Sequence, residues 1–326
     1  MTWGAKYSHA LDHPGGTYQH AYFATDGDIY AEWEDATHPR QLIALDRSTG
    51  RLKRTVLSVS DEMVGRPWRS VGFTSSGGQD IQGWLGVPEG DGPFPAIIEV
   101  HGGPASWVSE EYSPESQAWL DHGYAYLTIN YRGSSSFGRE FEEVVYGDPG
   151  HWEIDDMVAA REWMVRSGVG APDRILLKGF SYGGYLVLQA LGTRPGLWAG
   201  GIAESGIADW RLNYEDVADN MKAWQEAILG GRPAEMPERY ADRSPITHAE
   251  RVQAPVLVIH GLNDSRCPVR QMEAYLEKMH ALGKSIQSHW FDAGHGTLVA
   301  QERQRHQELM LRFAERVISS ASTASG

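Results

Sequence analysis

A serine lies between two glycines in the segment Gly179-Phe180-Ser181-Tyr182-Gly183. Residues 174–178 before it are rich in strand formers, and residues 185–191 after it favour a helix. A strand, a sharp turn and a helix form the context in which a G-x-S-x-G match marks a nucleophile elbow, which lifts the serine hydroxyl above the sheet edge. The flanking glycines let strand and helix pass close together. The sequence therefore predicts a nucleophile at Ser181, with a glycine-rich turn of an ordinary α/β protein as the alternative.

A serine nucleophile needs a histidine base within hydrogen-bonding reach and a carboxylate that orients the base. Downstream of Ser181, the apolar run 255–260 ends in a glycine, and the next carboxylate is Asp264. After the last predicted strand, His295 lies between two glycines. The order serine, acid, histidine is typical of proteins built on such an elbow. We therefore predict a triad of Ser181, Asp264 and His295, with His260 as a weaker candidate for the base.

Acyl transfer also requires hydrogen-bond donors for the oxyanion, each worth about 3–4 kcal/mol. The backbone N–H of Tyr182 is one candidate, because this residue follows the nucleophile at the start of the predicted helix. The second candidate is the loop His101-Gly102-Gly103-Pro104, where two glycines let backbone amides face the site without a Cβ clash. We predict donors at Tyr182 and at Gly102 or Gly103; for the loop, a plain turn is the alternative.

Several further residues flank these motifs and are candidates for substrate contact. Four are aromatic and predict an apolar acyl pocket, with ordinary core burial as the alternative. Arg132 has a second interpretation as the ion-pair partner of Asp155 or Asp156. Cys267 has no glycine elbow and is interpreted as a small packing residue. The six candidates are His101, Trp107, Arg132, Phe137, Tyr185 and Trp210.

The elements that must position these residues alternate between strand and helix from about residue 67 to residue 318. Such alternation predicts an α/β fold with a doubly wound, mostly parallel sheet. Before it, three short strands are predicted at 28–33, 41–46 and 52–57. We predict an N-terminal antiparallel β segment (1–65), a catalytic domain (66–318) with an irregular, partly helical insertion at 205–250, and a disordered tail (319–326).

The composition limits the classes of function. A net charge of −14 at pH 7 argues against non-specific binding to nucleic acid or to an acidic membrane surface. No apolar run approaches the roughly 18 residues of a membrane span. The first residues lack a basic start followed by an apolar run, so we expect no signal peptide and a cytoplasmic location. With one cysteine there is neither an internal disulfide nor a cysteine pair for a metal, and we expect no metal site and no cofactor.

Together these motifs resemble the catalytic domain of the prolyl oligopeptidase family of serine peptidases, within it the acylaminoacyl-peptidase and dipeptidyl-peptidase-like branches. The resemblance covers roughly residues 67–318 and implies an α/β-hydrolase fold, with Ser181, Asp264 and His295 as the triad. It also implies the Tyr182 N–H as one oxyanion donor. Some members take the second donor from a glycine matching Gly102 or Gly103, and others use a tyrosine hydroxyl at the position of His101. Further matching segments are 130–134, 137–138, 152–153, 155–156, 209–210 and 243–246.

The N-terminal region departs from the family pattern. Members usually carry a β-propeller that admits only small peptides, whereas residues 1–65 here resemble one propeller blade or an oligomerisation arm. The resemblance implies cleavage of an amide bond in a small peptide or acyl-aminoacyl substrate. An esterase, lactonase or acyltransferase acting on a small molecule is the alternative, because an open site does not require a threaded peptide. The aromatic residues near the start suggest an arm packed on a neighbour, so we expect a homo-oligomer; they are Trp3, Tyr7, Tyr18, Tyr22 and Phe23.

Overall fold

The computed structural model describes residues 12–59 and 65–324. These residues form two compact units, the first of 12–59, 65–68 and 109–117, and the second of 69–108 and 118–324. The sequence predicts a single boundary after residue 65, so the assignment of 109–117 to the first unit differs from it. The side chain of Gln117 explains the assignment, because it donates to the Ala36 carbonyl (3.0 Å) and accepts from the Arg66 N–H (2.6 Å). Contacts between distant segments of this kind leave no local sequence pattern.

The first unit contains a four-stranded antiparallel sheet in the order β1-β2-β3-β4. Its strands are β1 (Thr17–Phe23), β2 (Asp28–Glu34), β3 (Gln41–Asp46) and β4 (Leu52–Leu57). Alternate residues of β2 and β3 point to one face, and there Ile29, Trp33, Ile43 and Leu45 form a small core. The three predicted strands are present.

Strand β1 was not predicted as a strand. Its aromatic residues Tyr18, Tyr22 and Phe23 were interpreted as part of an arm, whereas the structure pairs β1 with β2. The polar pair Gln19-His20 and a register shift between Gln19 and Tyr22 interrupt the alternation that a sequence reading depends on. Trp3 and Tyr7 lie outside the described residues. The homo-oligomer stays a prediction.

The second unit is built on an eight-stranded sheet in the order β12-β11-β10-β9-β7-β8-β6-β5. Strands β7 to β12 pair in parallel and β6 pairs antiparallel with β8, which confirms the predicted doubly wound, mostly parallel sheet. The strands are β5 (Trp68–Thr74), β6 (Asp80–Gly86), β7 (Phe94–Val100), β8 (Ala125–Asn130), β9 (Gly170–Phe180), β10 (Gly200–Glu204), β11 (Val256–Gly261) and β12 (Ile286–Phe291).

Helices follow or connect these strands, and α3, α4 and α9 pack against β9. The insertion at 205–250 contains α5 to α7 and a 3-10 helix, Pro245–Arg251. The helices of the described chain are α1 (Pro114–Asp121), α2 (Arg139–Glu143), α3 (Trp152–Arg166), α4 (Tyr182–Thr193), α5 (Trp210–Asp216), α6 (Asp219–Leu229), α7 (Pro237–Asp242), α8 (Val269–Ala281) and α9 (Ala300–Ala324).

The end of the chain differs from its prediction, because α9 continues to Ala324 where a disordered tail was expected from residue 319. Residues 319–324 are all serine, alanine or threonine, and none of them is a glycine or proline that would end the helix. Residues 325–326 lie outside the described part. None of the described helices combines the length and apolar character that a membrane span requires.

The turn from β9 into α4 is closely packed. A Cβ atom added at Gly183 would lie 2.1 Å from the carbonyl oxygen of Val100 on β7, and one added at Gly179 would lie 2.4 Å from the carbonyl of Gly183. Any side chain at either position would force strand and helix apart. Because Gly179 and Gly183 have no side chain, α4 can approach β7 and β9 closely.

We predict that Gly183→Ala lowers the free energy of unfolding by about 3 kcal/mol or more, because the methyl group cannot be accommodated beside the Val100 carbonyl. In an unobstructed helix the same change would stabilise by about 1 kcal/mol. Urea unfolding of the full chain measures the difference.

Gly72→Ala is the matched control, since a Cβ there meets nothing closer than the Ile81 oxygen at 3.9 Å. Its expected effect is within about 0.5 kcal/mol. Equal unfolding midpoints for Gly183→Ala and the unmodified protein would contradict the packing argument.

Candidate active site

Ser181 lies between the last residue of β9 and the first of α4, with a backbone conformation of φ 59° and ψ −119°. A residue with a side chain adopts positive φ only where its surroundings hold it there. Here the Ser181 N–H donates to the Glu204 carbonyl of β10 (2.8 Å), and the Ser181 carbonyl accepts from Tyr185 N–H (3.0 Å). The serine is therefore fixed between a sheet strand and the first turn of a helix.

The structure brings the three predicted triad side chains into one hydrogen-bonded chain. His295 Nδ1 lies 2.7 Å from Asp264 Oδ2, and His295 Nε2 lies 2.8 Å from Ser181 Oγ. Because a carboxylate oxygen only accepts, Nδ1 carries the ring proton and Nε2 accepts from the serine hydroxyl. This tautomer is the one that a general base acting on Ser181 requires.

Asp264 is held in the turn after β11. Its Oδ1 accepts from the backbone N–H groups of Arg266 (2.9 Å) and Cys267 (2.8 Å). Burial by itself raises the pKa of this carboxyl, but the hydrogen bonds from His295 and from the two backbone groups outweigh it and lower the pKa below its ordinary value. Asp264 is therefore ionised at neutral pH, next to the ring it orients.

His260, the weaker candidate for the base, lies beneath the acid rather than beside the serine. It is fully buried, and its Nε2 donates to the Cys267 carbonyl (2.7 Å). Burial lowers its pKa, so the ring stays neutral. Its hydrogen bond supports the turn that carries Asp264, and the histidine that bonds the serine hydroxyl is His295.

The side chain of Cys267 lies close to Asp264 and His295, with candidate ligand atoms of the three residues within 4.8 Å of one another. Burial raises the pKa of the Cys267 thiol well above its ordinary value, so the side chain is a neutral thiol. The geometry around Asp264 and His295 is that of a hydrogen-bonded triad with Cys267 packed behind it.

The predicted oxyanion loop borders the nucleophile. A Cβ at Gly102 would lie 3.2 Å from the Cβ of Ser181, and Gly103 lines the same cavity as Ser181 and Tyr182. His101 Nδ1 donates to the Gly102 carbonyl (2.8 Å) and its Nε2 accepts from the Ser134 hydroxyl (2.8 Å). Burial lowers the pKa of His101 to about 4, so the ring is neutral and serves to brace the loop.

Glu153, which was not predicted as a site residue, lies directly behind the elbow. It is fully buried and accepts from the Tyr182 hydroxyl (2.6 Å) and from the Gly150 N–H (3.0 Å). Tyr182 supplies the predicted oxyanion N–H, so Glu153 fixes the residue that follows the nucleophile. The signal available in the sequence was its place in one of the family-like segments, without any indication of a role.

A cavity of about 510 Å³ opens beside Ser181. Four of its apolar lining residues come from the insertion between β10 and β11, and polar groups stand at Asn220, Ser265 and Arg266. Sequence reasoning missed the apolar four, although ligands of such sheets bind outside the carboxyl ends of the strands, where this insertion begins. They are Ile207, Ala218, Met221 and Trp224.

The six residues predicted to contact substrate do not line this cavity. Tyr185 and Trp210 are fully buried and pack on each other, with ring centroids 5.0 Å apart. Arg132 pairs with Asp156 (2.6 Å), which is the second interpretation that the sequence allowed. Trp107 and Phe137 are exposed elsewhere, and His101 braces the glycine loop. Helical and strand spacing alone did not reveal which aromatic side chains face the core.

Comparison with known proteins agrees with this architecture. The model of the prolyl oligopeptidase family matches residues 110–321. The chain belongs to the prolyl oligopeptidase family. Among curated relatives in the family, the uncharacterized peptidase YuxL of Bacillus subtilis is 32% identical over 65% of this chain and 33% of its own length. Dipeptidyl aminopeptidase BIII of Pseudoxanthomonas mexicana is 29% identical over 77% of this chain and 39% of its own length.

A solved structure extends the likeness over most of the chain. The acylaminoacyl peptidase of Pyrococcus horikoshii superposes with a TM-score of 0.83 at 27% identity and covers 93% of this chain. The present chain spans half of that structure and about a third to two fifths of the curated relatives. The likeness confirms the α/β-hydrolase fold that the sequence motifs implied.

The buried environment of Glu153 predicts that the free energy of unfolding depends on pH. Burial raises its pKa to about 7 from an ordinary 4.5, although the Tyr182 and Gly150 hydrogen bonds oppose the shift. Between these pH values the native state binds more protons than the unfolded chain, so the free energy of unfolding falls as the pH rises from about 4.5 to about 7. Glu153→Gln lacks this ionisation, and the native protein should lose stability relative to the variant across that window.

Chemical unfolding of both proteins at a series of pH values measures this difference. Glu162→Gln, an exposed change on the same helix α3, is the control and should leave the shape of the profile unchanged. Parallel stability profiles for Glu153→Gln and the native protein would refute the assignment.

Proposed function

We propose that the protein is a serine hydrolase that cleaves an amide bond in small peptide or acyl-aminoacyl substrates through an acyl-enzyme. The observation that carries the proposal is the chain of hydrogen bonds from Asp264 through His295 to Ser181, at 2.7 and 2.8 Å. It stands at the edge of a cavity large enough for an acyl group. Membership of the prolyl oligopeptidase family supports the same chemistry.

In this mechanism, His295 Nε2 takes the Ser181 proton while Oγ attacks the substrate carbonyl carbon. The imidazolium that forms is stabilised by the ionised Asp264, whose hydrogen bond keeps the ring in place. Nε2 then gives the proton to the leaving nitrogen, the C–N bond breaks, and the acyl group remains as an ester on Ser181. A water molecule, deprotonated by the same nitrogen, hydrolyses the ester and restores the serine.

The negative charge of the tetrahedral intermediate falls on the former carbonyl oxygen. The Tyr182 N–H belongs to the first turn of α4, where backbone donors have no partner within the helix. An amide from Gly102 or Gly103 is the second donor, and the position of Gly103 on the cavity wall beside Ser181 supports it. The link from Glu153 to the Tyr182 hydroxyl keeps the first donor aligned.

The cavity supports a preference for a large apolar acyl residue with a blocked amine. Ile207, Met221 and Trp224 supply apolar surface around a volume of about 510 Å³. None of the described residues that line it is a carboxylate, so nothing on this wall would pair with a free α-amine. We therefore propose N-acylated substrates over free-amine dipeptides.

Ser181→Ala should abolish labelling by a fluorophosphonate probe and reduce turnover of acetyl-phenylalanine p-nitroanilide at least about 10³-fold, because the nucleophile is gone. In-gel labelling and anilide release measure both effects. Ser288→Ala, an exposed change on β12, is the control and should retain both.

Labelling that survives in Ser181→Ala would exclude this serine as nucleophile. Hydrolysis of p-nitrophenyl esters without hydrolysis of any anilide would keep the nucleophile but overturn the amide-bond assignment in favour of an esterase.

A second prediction tests the acyl cavity. Ala218→Trp places a large ring in the cavity and should lower kcat/KM for acetyl-phenylalanine anilide at least about tenfold, while acetyl-alanine anilide changes about twofold or less. Ala241→Trp, also exposed in the 205–250 insertion but outside this cavity, is the matched control. Equal losses for both substrates would show that the cavity does not hold the acyl side chain.

A further inference from the structure

Two histidines and a glutamate lie together at the edge of the large sheet, apart from the proposed triad. His289 belongs to β12, and Glu302 and His306 lie one turn apart on α9. Their candidate ligand atoms are within 4.8 Å of one another. His289 Nε2 is 2.9 Å from Glu302 Oε1, and His306 Nε2 is 3.3 Å from the same oxygen. Three side chains from two elements thus converge on one point.

The periodicities of strand and helix explain this convergence. Alternate residues of β12 face α9. The Arg316 guanidinium on α9 donates to Gln287 Oε1 on β12 (2.9 Å), and the ring centroids of Phe291 and His306 are 4.7 Å apart. His289 lies between these two residues on the same face. On α9, the spacing of four residues puts Glu302 and His306 on one side of the helix. The cluster is therefore a fixed consequence of the packing of α9 on β12.

The donor set suits zinc. Two imidazole nitrogens and one carboxylate oxygen are a common protein ligand set for this ion, with water as the fourth ligand. Tetrahedral bonds of about 2.0–2.1 Å separate neighbouring ligand atoms by about 3.3 Å, and the observed separations of 2.9 and 3.3 Å need little adjustment.

The environment of the cluster also allows an ion to enter. The side chains of His289 and Glu302 are 14% and 27% exposed, which leaves access for water.

We propose that His289, Glu302 and His306 form a zinc-binding site that links β12 to α9. Residues 292–299 connect these two elements and carry His295, so the ion fastens both ends of the loop that holds the proposed base. The composition predicts no metal site. The sequence does not reveal the proposed one, because its ligands come from separate elements rather than from a compact sequence motif. The proposal concerns binding and loop order and does not depend on the substrate proposed above.

Zinc binding to the chelator-stripped full chain, measured by calorimetry and by metal analysis after gel filtration, tests the proposal. We expect one zinc ion per chain, an unfolding temperature that rises with zinc concentration, and slower amide hydrogen exchange in residues 292–299. His289→Gln and His306→Gln should each weaken zinc affinity at least about tenfold and remove the effect on exchange. Glu302→Gln, a conservative change at a more exposed position, gives the same test should His306→Gln fail to fold.

Two controls locate the ion. His280→Gln removes an exposed histidine on α8, and His295→Ala removes the one in the triad; both should keep the zinc. Binding that survives in His289→Gln, or that disappears in His295→Ala, would overturn the proposal, the latter by placing the ion at Asp264, Cys267 and His295. Absence of stoichiometric binding to the unmodified chain would show that the cluster is a set of hydrogen-bonded ion pairs only.

Discussion

The strained backbone of Ser181 is the constraint around which the second unit is arranged. A φ of 59° at a residue with a side chain is unfavourable, and the packing of three elements maintains it. The Glu204 carbonyl of β10 accepts a hydrogen bond from the Ser181 N–H, and α4 starts at the next residue. The Val100 carbonyl of β7 lies so close to Gly183 that no side chain fits there. The proposed nucleophile is consequently held at the carboxyl end of β9, between β10 and the first turn of α4.

Two carboxyl groups near this turn have opposite environments. Asp264 accepts two backbone N–H groups and faces His295, so its charged form is favoured despite burial. Glu153 is fully buried, no cation of residues 12–59 or 65–324 forms an ion pair with it, and burial raises its pKa to about 7. The first suits a group that stabilises a neighbouring imidazolium, and the second suits a group that holds Tyr182 by a hydrogen bond. Position in the fold, rather than residue type, separates their roles.

The access side of the site is formed largely by the insertion between β10 and β11. Its helix α6 brings Met221 and Trp224 to the cavity wall, and Trp210 at the start of α5 packs against Trp224 with ring centroids 6.0 Å apart. The elbow that carries Ser181 and most of the apolar cavity wall therefore come from different parts of the chain. In the proposed enzyme, the reaction type and the substrate preference are set by separate segments.

The sequence by itself determined the order of elements, the doubly wound sheet and the residues of the proposed triad. The elements follow from local hydrophobic patterns. The triad residues follow from the glycines around Ser181, the glycines around His295 and the first carboxylate after strand β11. Strand β1 escaped prediction because a register shift breaks its alternation, and the helical end of α9 because small polar residues also suit a disordered tail.

Only the tertiary structure decided which side chains meet across distant segments. Tyr185 and Trp210 were candidates for the acyl pocket but are buried in the core, whereas Met221 and Trp224 line the cavity. Glu153 reaches Tyr182, and His289 reaches Glu302 and His306, through packing between separate elements. Such contacts depend on how helices dock on the sheet, and one-dimensional spacing specifies the face of an element but not the neighbour that this face will meet.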